Sequence, residues 1–330
     1  MARKPRVTKE PVEIESPTGL RFALHWVLGL VGEPQDWRKF HKIENKWLTA
    51  SASCITVGHP LDDEITDSPV GYQLYKALER CKANYSLTQL QGGLSLRSGA
   101  FRAIVPCQPL EHCQLIDPNA PLYPFAPELL TAIFKCAVLI KNQGERYFES
   151  SLLIKANSCV ATDSRILIEA WHGVSMPELI IPYDFIVALK KAKDTPLFWG
   201  YSDKTFTVYY ANGAWICTNL FNETYPQIDR LFENSPETKP IPSKFFEAVK
   251  AVEPFAEDDR VYFEDGKVKS KPIEDCTFYE VPGLDVKLTV NPKYLLMMPE
   301  DVKRYSIMEN QKIYFYSDNC RAIVMGIIKQ

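Results

Sequence analysis

A threefold repeat is the feature that most constrains how this chain can fold. Three amphipathic segments, each with a proline at or near its first helical turn, start at Ser68, Ile181 and Asn291, about 110 residues apart. Each is followed by alternating polar and apolar stretches with short polar or glycine turns, which predict a three-stranded meander. That spacing is a normal domain size, so the pattern predicts one structural plan used three times.

A second series of amphipathic segments falls between the first. These segments begin at Leu20, Pro127 and Ser243, and each is followed by further extended stretches. Each repeat is therefore predicted to hold two helices packed on antiparallel sheets, which is an α+β class. Similar fragments occur by chance in other α+β proteins, and the pattern alone leaves that alternative open.

Proline-rich and polar stretches predict where the repeats are joined. Residues 108–128 separate the first two units, and residues 222–242 separate the last two. The predicted division is a flexible basic arm at 1–11, a first domain at 12–120, a second at 121–236 and a third at 237–330. A single core usually stops growing at about 250–300 residues, which also favours several domains. The arm is either a solvated tail or a contact to DNA.

Composition excludes several classes of protein. Hydrophobic residues make up 46% of the chain and charged residues 24%, the balance of a globular protein that is neither disordered nor membrane-embedded. The basic N-terminus lacks the apolar stretch of a secretion signal, so a cytoplasmic location is expected, with no membrane partner. The formal net charge of -3 argues against simple attraction to nucleic acid, unless positive charge is confined to one surface.

Cysteine usage predicts reduced thiols. The nine cysteines are odd in number and scattered singly, with no C-x-x-C pair. Cys107, His112 and Cys113 come nearest to a zinc site, but no second ligand pair accompanies them. The sequence therefore predicts neither a metal nor another cofactor.

An enzyme remains a competing class. Asp163, His172 and Cys159 lie close in sequence, and a Cys–His pair can support covalent catalysis. Strand alternation, however, points these side chains to different faces. No G-x-S-x-G, phosphate-loop or H-E-x-x-H motif occurs, so we expect no catalytic activity.

The middle repeat carries segments that resemble a known family. VATDSRILIEAW, from Val160 to Trp171, is similar to the VATDGHRLA segment of the bacterial-type DNA sliding clamp, the beta subunit of DNA polymerase III. IIPYDFIVALKK resembles that family's IVPRK-type helix opening. YPQIDRLF, from Tyr225 to Phe232, resembles its FPDYRRV-type interdomain segment and is called the connector below. LSLRSGAFRAIVPC and RAIVMGIIKQ resemble the end of its first domain and its C-terminal strand. The five motifs stand in the family's order and span almost the whole chain.

The resemblance implies a processivity factor with the DNA clamp fold. Three domains of one topology would join head to tail with a second subunit into a closed homodimeric ring around double-stranded DNA. The ring would tether the replicative DNA polymerase and be placed by a clamp loader. It would hold DNA by topology and independently of sequence, which fits the modest net charge.

Several points stay open at this level. A clamp-shaped protein that binds replication partners without encircling DNA, as a decoy or regulator, is the competing alternative. The sequence also does not decide whether the ring is a dimer or a trimer. It does not identify the polymerase or loader, or tell a cellular origin from a phage origin. The short first unit and the atypical pocket are consistent with a phage member.

The resemblance also implies three sets of site residues. A peptide-binding pocket between the second and third domains would be built from a turn, the connector and the last strand, at Thr162, Ser164, Arg165, Leu167, Pro226, Arg230, Leu231, Ile323, Val324, Met325, Gly326 and Ile327. DNA-facing residues would be Arg38, Lys39, Lys76, Arg80, Lys141, Gln143, Lys190 and Lys191. The subunit interface would place Phe101 and Ile104 opposite Val252 and Phe255.

The pocket departs from the family's pattern at several positions. Ser164 and Arg165 replace Gly-His, Glu149 falls near a usually apolar wall position, and Gly326 replaces a proline. Whether the standard clamp-binding peptide fits is therefore open. For four of the apolar or small positions ordinary core packing is an equal alternative, namely Thr162, Leu167, Ile323 and Val324.

Overall fold

Six α-helices occur in the described part of this computed structural model, which covers residues 19–81, 84–233, 237–308 and 311–327. They are α1 (Leu20–Val31), α2 (Gly71–Glu79), α3 (Pro127–Cys136), α4 (Tyr183–Ala192), α5 (Phe245–Val252) and α6 (Pro292–Leu296). All six predicted helices are confirmed, although α6 is shorter than the amphipathic segment suggested. The predicted arm at 1–11 lies outside the described residues. Among the helices described, none combines the length and apolar character needed to cross a membrane.

Twenty-two strands accompany these helices within the same residues. They are β1 (Lys42–Glu44), β2 (Trp47–Ala52), β3 (Ile55–Pro60), β4 (Ser86–Leu90), β5 (Gly93–Ser98), β6 (Phe101–Pro106), β7 (Tyr123–Pro124), β8 (Ser151–Ile154), β9 (Ser158–Thr162), β10 (Ile166–Trp171), β11 (Leu179–Pro182), β12 (Phe198–Tyr201), β13 (Thr205–Tyr209), β14 (Trp215–Asn219), β15 (Lys239–Pro240), β16 (Val261–Glu264), β17 (Lys267–Lys269), β18 (Phe278–Glu280), β19 (Leu288–Val290), β20 (Arg304–Ile307), β21 (Lys312–Tyr316) and β22 (Cys320–Met325).

The predicted meanders follow α2, α4 and α6. In each, three consecutive strands are neighbours in one sheet: β4-β5-β6, β12-β13-β14 and β20-β21-β22. The first meander turns at Gly92 and Gly99, where φ is 72° and 57°, a backbone conformation that glycine adopts without steric penalty. The turn residues in the sequence therefore mark the strand ends correctly.

The described residues form two compact units. The first contains the described residues up to Pro118, together with Lys191–Asp194 and Val208–Cys217. In it α1 packs on α2 and on the strands β2 and β3. The buried face of α1 is formed by residues at helical spacing, Leu20, Ala23, Leu24 and Val27. Their burial is what holds this helix on the sheet.

The second unit contains the remaining described residues from Asn119 onwards. Its largest sheet has eight strands in the order β11-β8-β9-β10-β22-β21-β20-β15, and a separate sheet has the order β18-β17-β16-β19. Strands β10 and β22 are antiparallel, with Leu167 opposite Ile323 and Glu169 opposite Arg321. Strands predicted for the second and third repeats thus share one sheet. The division into three domains stays a prediction.

The sheet orders repeat the same plan. Strand order β11-β8-β9-β10 is matched by β19-β16-β17-β18, and the meander β20-β21-β22 by β4-β5-β6. The matching last strands also share a sequence, since Arg-Ala-Ile-Val occurs at 102–105 on β6 and at 321–324 on β22. The fold is therefore a repeated α+β architecture of paired helices and antiparallel sheets.

Candidate functional site

A tight turn between β9 and β10 holds the first group of predicted pocket residues. The Asp163 carboxylate accepts the backbone N–H groups of Arg165 at 3.1 Å and Ile166 at 3.0 Å. The Thr162 hydroxyl donates to the Ile166 carbonyl at 2.8 Å. Short polar side chains that bond to nearby backbone groups stabilise such turns. Ser164 is left in the left-handed region at φ 73°, a conformation that costs serine more than glycine.

A polar cavity of about 390 Å³ lies beside this turn. Lys141 forms ion pairs with Asp163 at 3.4 Å and with Glu149 at 3.8 Å. The Ser164 hydroxyl donates to the Glu149 carboxylate at 3.1 Å, and both carboxylates are buried. The cavity is lined by Lys141, Gln143, Glu145, Arg146, Glu149, Asp163, Ser164, Arg165 and Tyr294. Lys141 and Gln143, predicted to face DNA, therefore lie with the pocket residues Ser164 and Arg165.

A hydrophobic cluster joins the connector to the strands of the eight-stranded sheet. From the connector come Tyr225, Ile228 and Phe232, and from the strands come Leu167 and Ile323. The other buried members are Phe148, Leu153, Val160, Ile180 and Tyr314. Leu167 and Ile323 are thus core residues of the second unit. Burial also raises the pKa of the Tyr225 phenol.

The last strand reaches the turn through its backbone. The Met325 N–H donates to the Arg165 carbonyl at 2.8 Å, and the Ile327 N–H to the Thr289 carbonyl at 2.7 Å. A Cβ at Gly326 would overlap the backbone of Gln311, so this position is close-packed. The structure therefore brings the turn and the last strand together.

Only part of the predicted pocket is at the surface. Leu231 and Met325 are exposed large apolar residues, and Arg230 is exposed as well. Pro226, Gly326 and Ile327 are half-buried, whereas Thr162 and Val324 are buried. Binding of an extended partner by the exposed members stays a prediction.

An ion-pair network around the buried Glu169, which the sequence did not reveal, lies across the β10–β22 pair. The Arg321 guanidinium donates to Glu169 at 2.7 Å and to Asp229 at 3.2 Å. Ser158 donates to Glu169 at 2.7 Å, and Lys155 bonds Asp229 at 3.0 Å. Because Asp229 belongs to the connector, the network ties the connector to both strands.

The residues predicted to face DNA are spread over both units. The Nε–H group of Arg38 donates to the Asp36 carboxylate at 2.9 Å. Lys76 forms an ion pair with Glu79 at 2.9 Å. Lys191 donates to the Leu30 carbonyl at 3.5 Å. Lys39, Arg80 and Lys190 are exposed at the surface of their units. A role in DNA contact stays a prediction for all of them.

The predicted interface residues differ in exposure. Ile104 on β6 is 60% exposed, and Phe255 after α5 is also exposed. Phe101 is half-buried on the same strand as Ile104. Val252 is buried on the inner face of α5, so its side chain packs into its own core and is not offered to a partner.

The candidate catalytic and metal-binding residues are buried or hydrogen-bonded to neighbouring groups. Burial raises the pKa of the Cys159 thiol well above its usual value, the opposite of what an activated nucleophile needs. His172 is mostly buried, and its Nδ1 accepts the Val174 N–H at 3.1 Å. Cys113 bonds Ser68 at 3.0 Å. Among the described residues no group of three or more His, Cys, Asp or Glu side chains could hold a metal ion.

Comparison with solved structures identifies the architecture. Similar structures include a Pseudomonas aeruginosa DnaN sliding clamp bound to griselimycin (16% identity, TM-score 0.76, 94% of this chain and 97% of that chain). A Helicobacter pylori beta clamp bound to a DNA ligase peptide matches with 16% identity and TM-score 0.74 over 94% and 98%. A Bacillus subtilis DNA polymerase sliding clamp matches with 15% identity and TM-score 0.77 over 94% and 97%. The chain has the fold of these clamps.

The sequence by itself gives no such match. No protein-family model matches the chain, and no curated protein matches it.

Proposed function

We propose that this chain is a sliding clamp, a subunit of a ring that encircles duplex DNA and tethers the replicative polymerase. It acts without chemistry of its own, in the cytoplasm. The proposal rests on two sheets of the described residues, each ending in an outer strand whose counterpart in the eight-stranded sheet has a neighbour on that side. Strand β10 pairs with β22 in the eight-stranded sheet, whereas the corresponding strands β18 and β6 are outer strands of smaller sheets.

A second copy of the chain would supply both missing neighbours. Joining β18 of one subunit to β6 of the other gives the strand order β19-β16-β17-β18-β6-β5-β4, the same plan as β11-β8-β9-β10-β22-β21-β20. Outer strands with unpaired backbone groups favour such pairing. Two subunits joined twice in this head-to-tail way form a closed ring.

The side chains on these strands support the pairing. Ile323 on β22 is 3% exposed, while Ile104, at the same place in the shared Arg-Ala-Ile-Val sequence, is 60% exposed. Phe278 on β18 is likewise an exposed large apolar side chain. Apolar side chains of this size are typical of the buried centre of a subunit interface. Phe101 and Phe255 belong to the same proposed interface.

Partner binding is proposed at the turn, connector and last strand of the second unit. The solved clamps include one bound to a DNA ligase peptide and one bound to griselimycin. Exposed Arg230, Leu231 and Met325 would contact an extended segment of the polymerase or the clamp loader. The proposed domains remain 12–120, 121–236 and 237–330.

The subunit interface is tested by Ile104→Asp. An aspartate at the centre of the β6–β18 pair would bury an unpaired charge, so we expect dimers to become monomers in size-exclusion chromatography with light scattering. Leu90→Asp, at an exposed position on the opposite edge of the same meander, is the matched control and should stay dimeric. A monomeric wild-type protein at micromolar concentration, or dimers of Ile104→Asp, would contradict the interface.

The topological hold on DNA is tested separately. With a loader present, the clamp should stay on nicked circular DNA and leave the same DNA after it is cut to a linear form. A protein held by charge alone would depend on salt and not on the ends of the DNA. Equal retention on both forms would favour the partner-binding decoy.

A further inference from the structure

We propose that a cavity in the first unit, at the start of α2, binds a single phosphate group. The cavity has a volume of about 230 Å³, which is room for a phosphate with some of its water. It is lined by Leu28, Gly32, Glu33, Pro34, Gln35, Lys39, His41, Val70, Tyr72 and Gln73. This site goes beyond the proposed function, since neither partner binding nor ring closure uses it.

The start of α2 supplies hydrogen-bond donors. The helix begins at Gly71 after Val70, whose side chain has no oxygen to cap the first turn. The first backbone N–H groups of a helix have no partner within the helix. They also stand at the positive end of the helix dipole, so an anion is stabilised there.

His41 is the second and independent indication of a ligand. Its side chain is 1% exposed, and neither ring nitrogen finds a hydrogen-bond partner in the described part of the chain. The ring lies against the first residue of α2, because a Cβ at Gly71 would overlap its Nδ1, Cε1 and Cγ atoms, and His41 itself lines the cavity. The backbone N–H of His41 donates to the Pro69 carbonyl at 2.9 Å, which fixes this residue beside the start of α2. Buried polar atoms of native proteins are normally paired, so an occupant that accepts a hydrogen bond is expected.

The charges around the cavity favour a phosphate. Lys39 carries a positive charge on the cavity wall, and Gln73 offers an amide donor. The Gln35 amide already donates to the Glu33 carbonyl at 3.2 Å and has one further N–H group. Burial lowers the pKa of His41 to about 4, so at neutral pH the ring is uncharged and still has one N–H to donate. Glu33 lines the same cavity and opposes an anion. A tetrahedral group with several acceptor oxygens can use the backbone, imidazole, amide and ammonium donors together.

Binding is tested by adding inorganic phosphate to the full-length protein, with the side-chain nitrogens of histidine labelled for NMR. We expect the His41 signal to shift and the other four histidines to stay in place. By calorimetry, His41→Phe and Lys39→Gln should each weaken phosphate binding about tenfold, the loss of one good polar contact. Glu33→Gln should strengthen it. Lys46→Gln removes an exposed lysine outside the cavity and should leave the affinity unchanged.

The stability of the variants separates binding from folding. In phosphate-free buffer His41→Phe removes two unpaired ring nitrogens, so its melting temperature should not fall. If that variant does not fold, the Lys39→Gln and Glu33→Gln pair still tests the site, because both changes are at exposed residues. An unshifted His41 signal in wild-type protein, or equal affinity in all variants, would overturn the proposal.

The source of the phosphate is identified by a second titration with duplex DNA. A His41 shift that DNA produces, and that moves to the position of the phosphate-bound signal when inorganic phosphate is added, would assign the site to the DNA backbone. A shift with inorganic phosphate alone would assign it to free phosphate. Both experiments are read at the His41 signal and do not require the subunits to form a closed clamp. Their failure is therefore distinct from a failure of the proposed clamp function.

Discussion

The ion-pair network around the buried Glu169 makes a quantitative prediction for Arg321→Met. Methionine keeps an apolar side chain at this position, where the guanidinium carbon now lies 3.8 Å from the centroid of the Phe232 ring, but it removes both ionic contacts. Glu169, 2% exposed, would keep the Ser158 hydroxyl and the Lys155 ammonium at 3.6 Å. Glu169 would lose Arg321, its closest charged partner.

The expected cost follows from that imbalance. Removing one partner of a buried ion pair typically costs about 3–5 kcal/mol. Because the Arg321 side chain is 23% exposed and Lys155 remains, we expect the lower end, about 3 kcal/mol. Arg321→Met with Glu169→Leu removes both charges of the buried pair and should recover at least half of the loss, since no buried carboxylate is then left without its arginine. Asp229 also loses Arg321, but its side chain is 66% exposed and it keeps Lys155 at 3.0 Å.

The assay is urea unfolding followed by circular dichroism, with hydrogen exchange read on β10 and β22 because a chain of several domains need not unfold in one step. Lys303→Met is the control: it breaks a pair with Asp318 in which both side chains are mostly exposed. Such pairs contribute about 0–1 kcal/mol. If Arg321→Met were no more destabilising than Lys303→Met, or if the double variant were worse than the single one, the reasoning about the network would be refuted.

Two further predictions concern pH and charge. Burial lowers the pKa of His41 from 6.5 to about 4, so the unfolded chain binds the extra proton first and stability is lost as pH falls from 6.5 towards 4, by about 3 kcal/mol. His41→Phe should lose less stability over this range in acid titrations without phosphate, and an equal loss would contradict the burial argument. Changing Lys76, Arg80, Lys190 and Lys191 together to glutamate should impair loading and processive synthesis while the unfolding midpoint moves little. Unchanged processivity would remove these side chains from the DNA-facing set.

The sequence predicts which helices form better than it predicts the residues at which they end. Helix α1 occupies the whole apolar segment 20–31, because its buried positions repeat at helical spacing. Helix α6 ends at Leu296, well before the end of the amphipathic segment. Pro299 accounts for part of this, because a proline disfavours helical conformation in the residue before it.

The candidate site was only partly predictable. The turn at Thr162–Ile166 follows from local side-chain chemistry, which a short segment contains. The pairing of Glu169 with Arg321 joins residues 152 positions apart, and no local pattern indicates it. Burial of Val252 could have been found, since it continues the stripe of Phe245, Ala248 and Val249 on α5.

The carboxylates beside the turn determine which compounds could bind in the adjoining cavity. Glu149 and Asp163 are buried and share one lysine, so a compound that fills the adjoining cavity with hydrocarbon would strip water from three charged groups without replacing it. A compound that directs a hydrogen-bond donor at Glu149 would avoid that loss. The same donor would lose this acceptor in a protein of the same fold with an apolar side chain at this position, so one buried carboxylate offers a basis for selective binding.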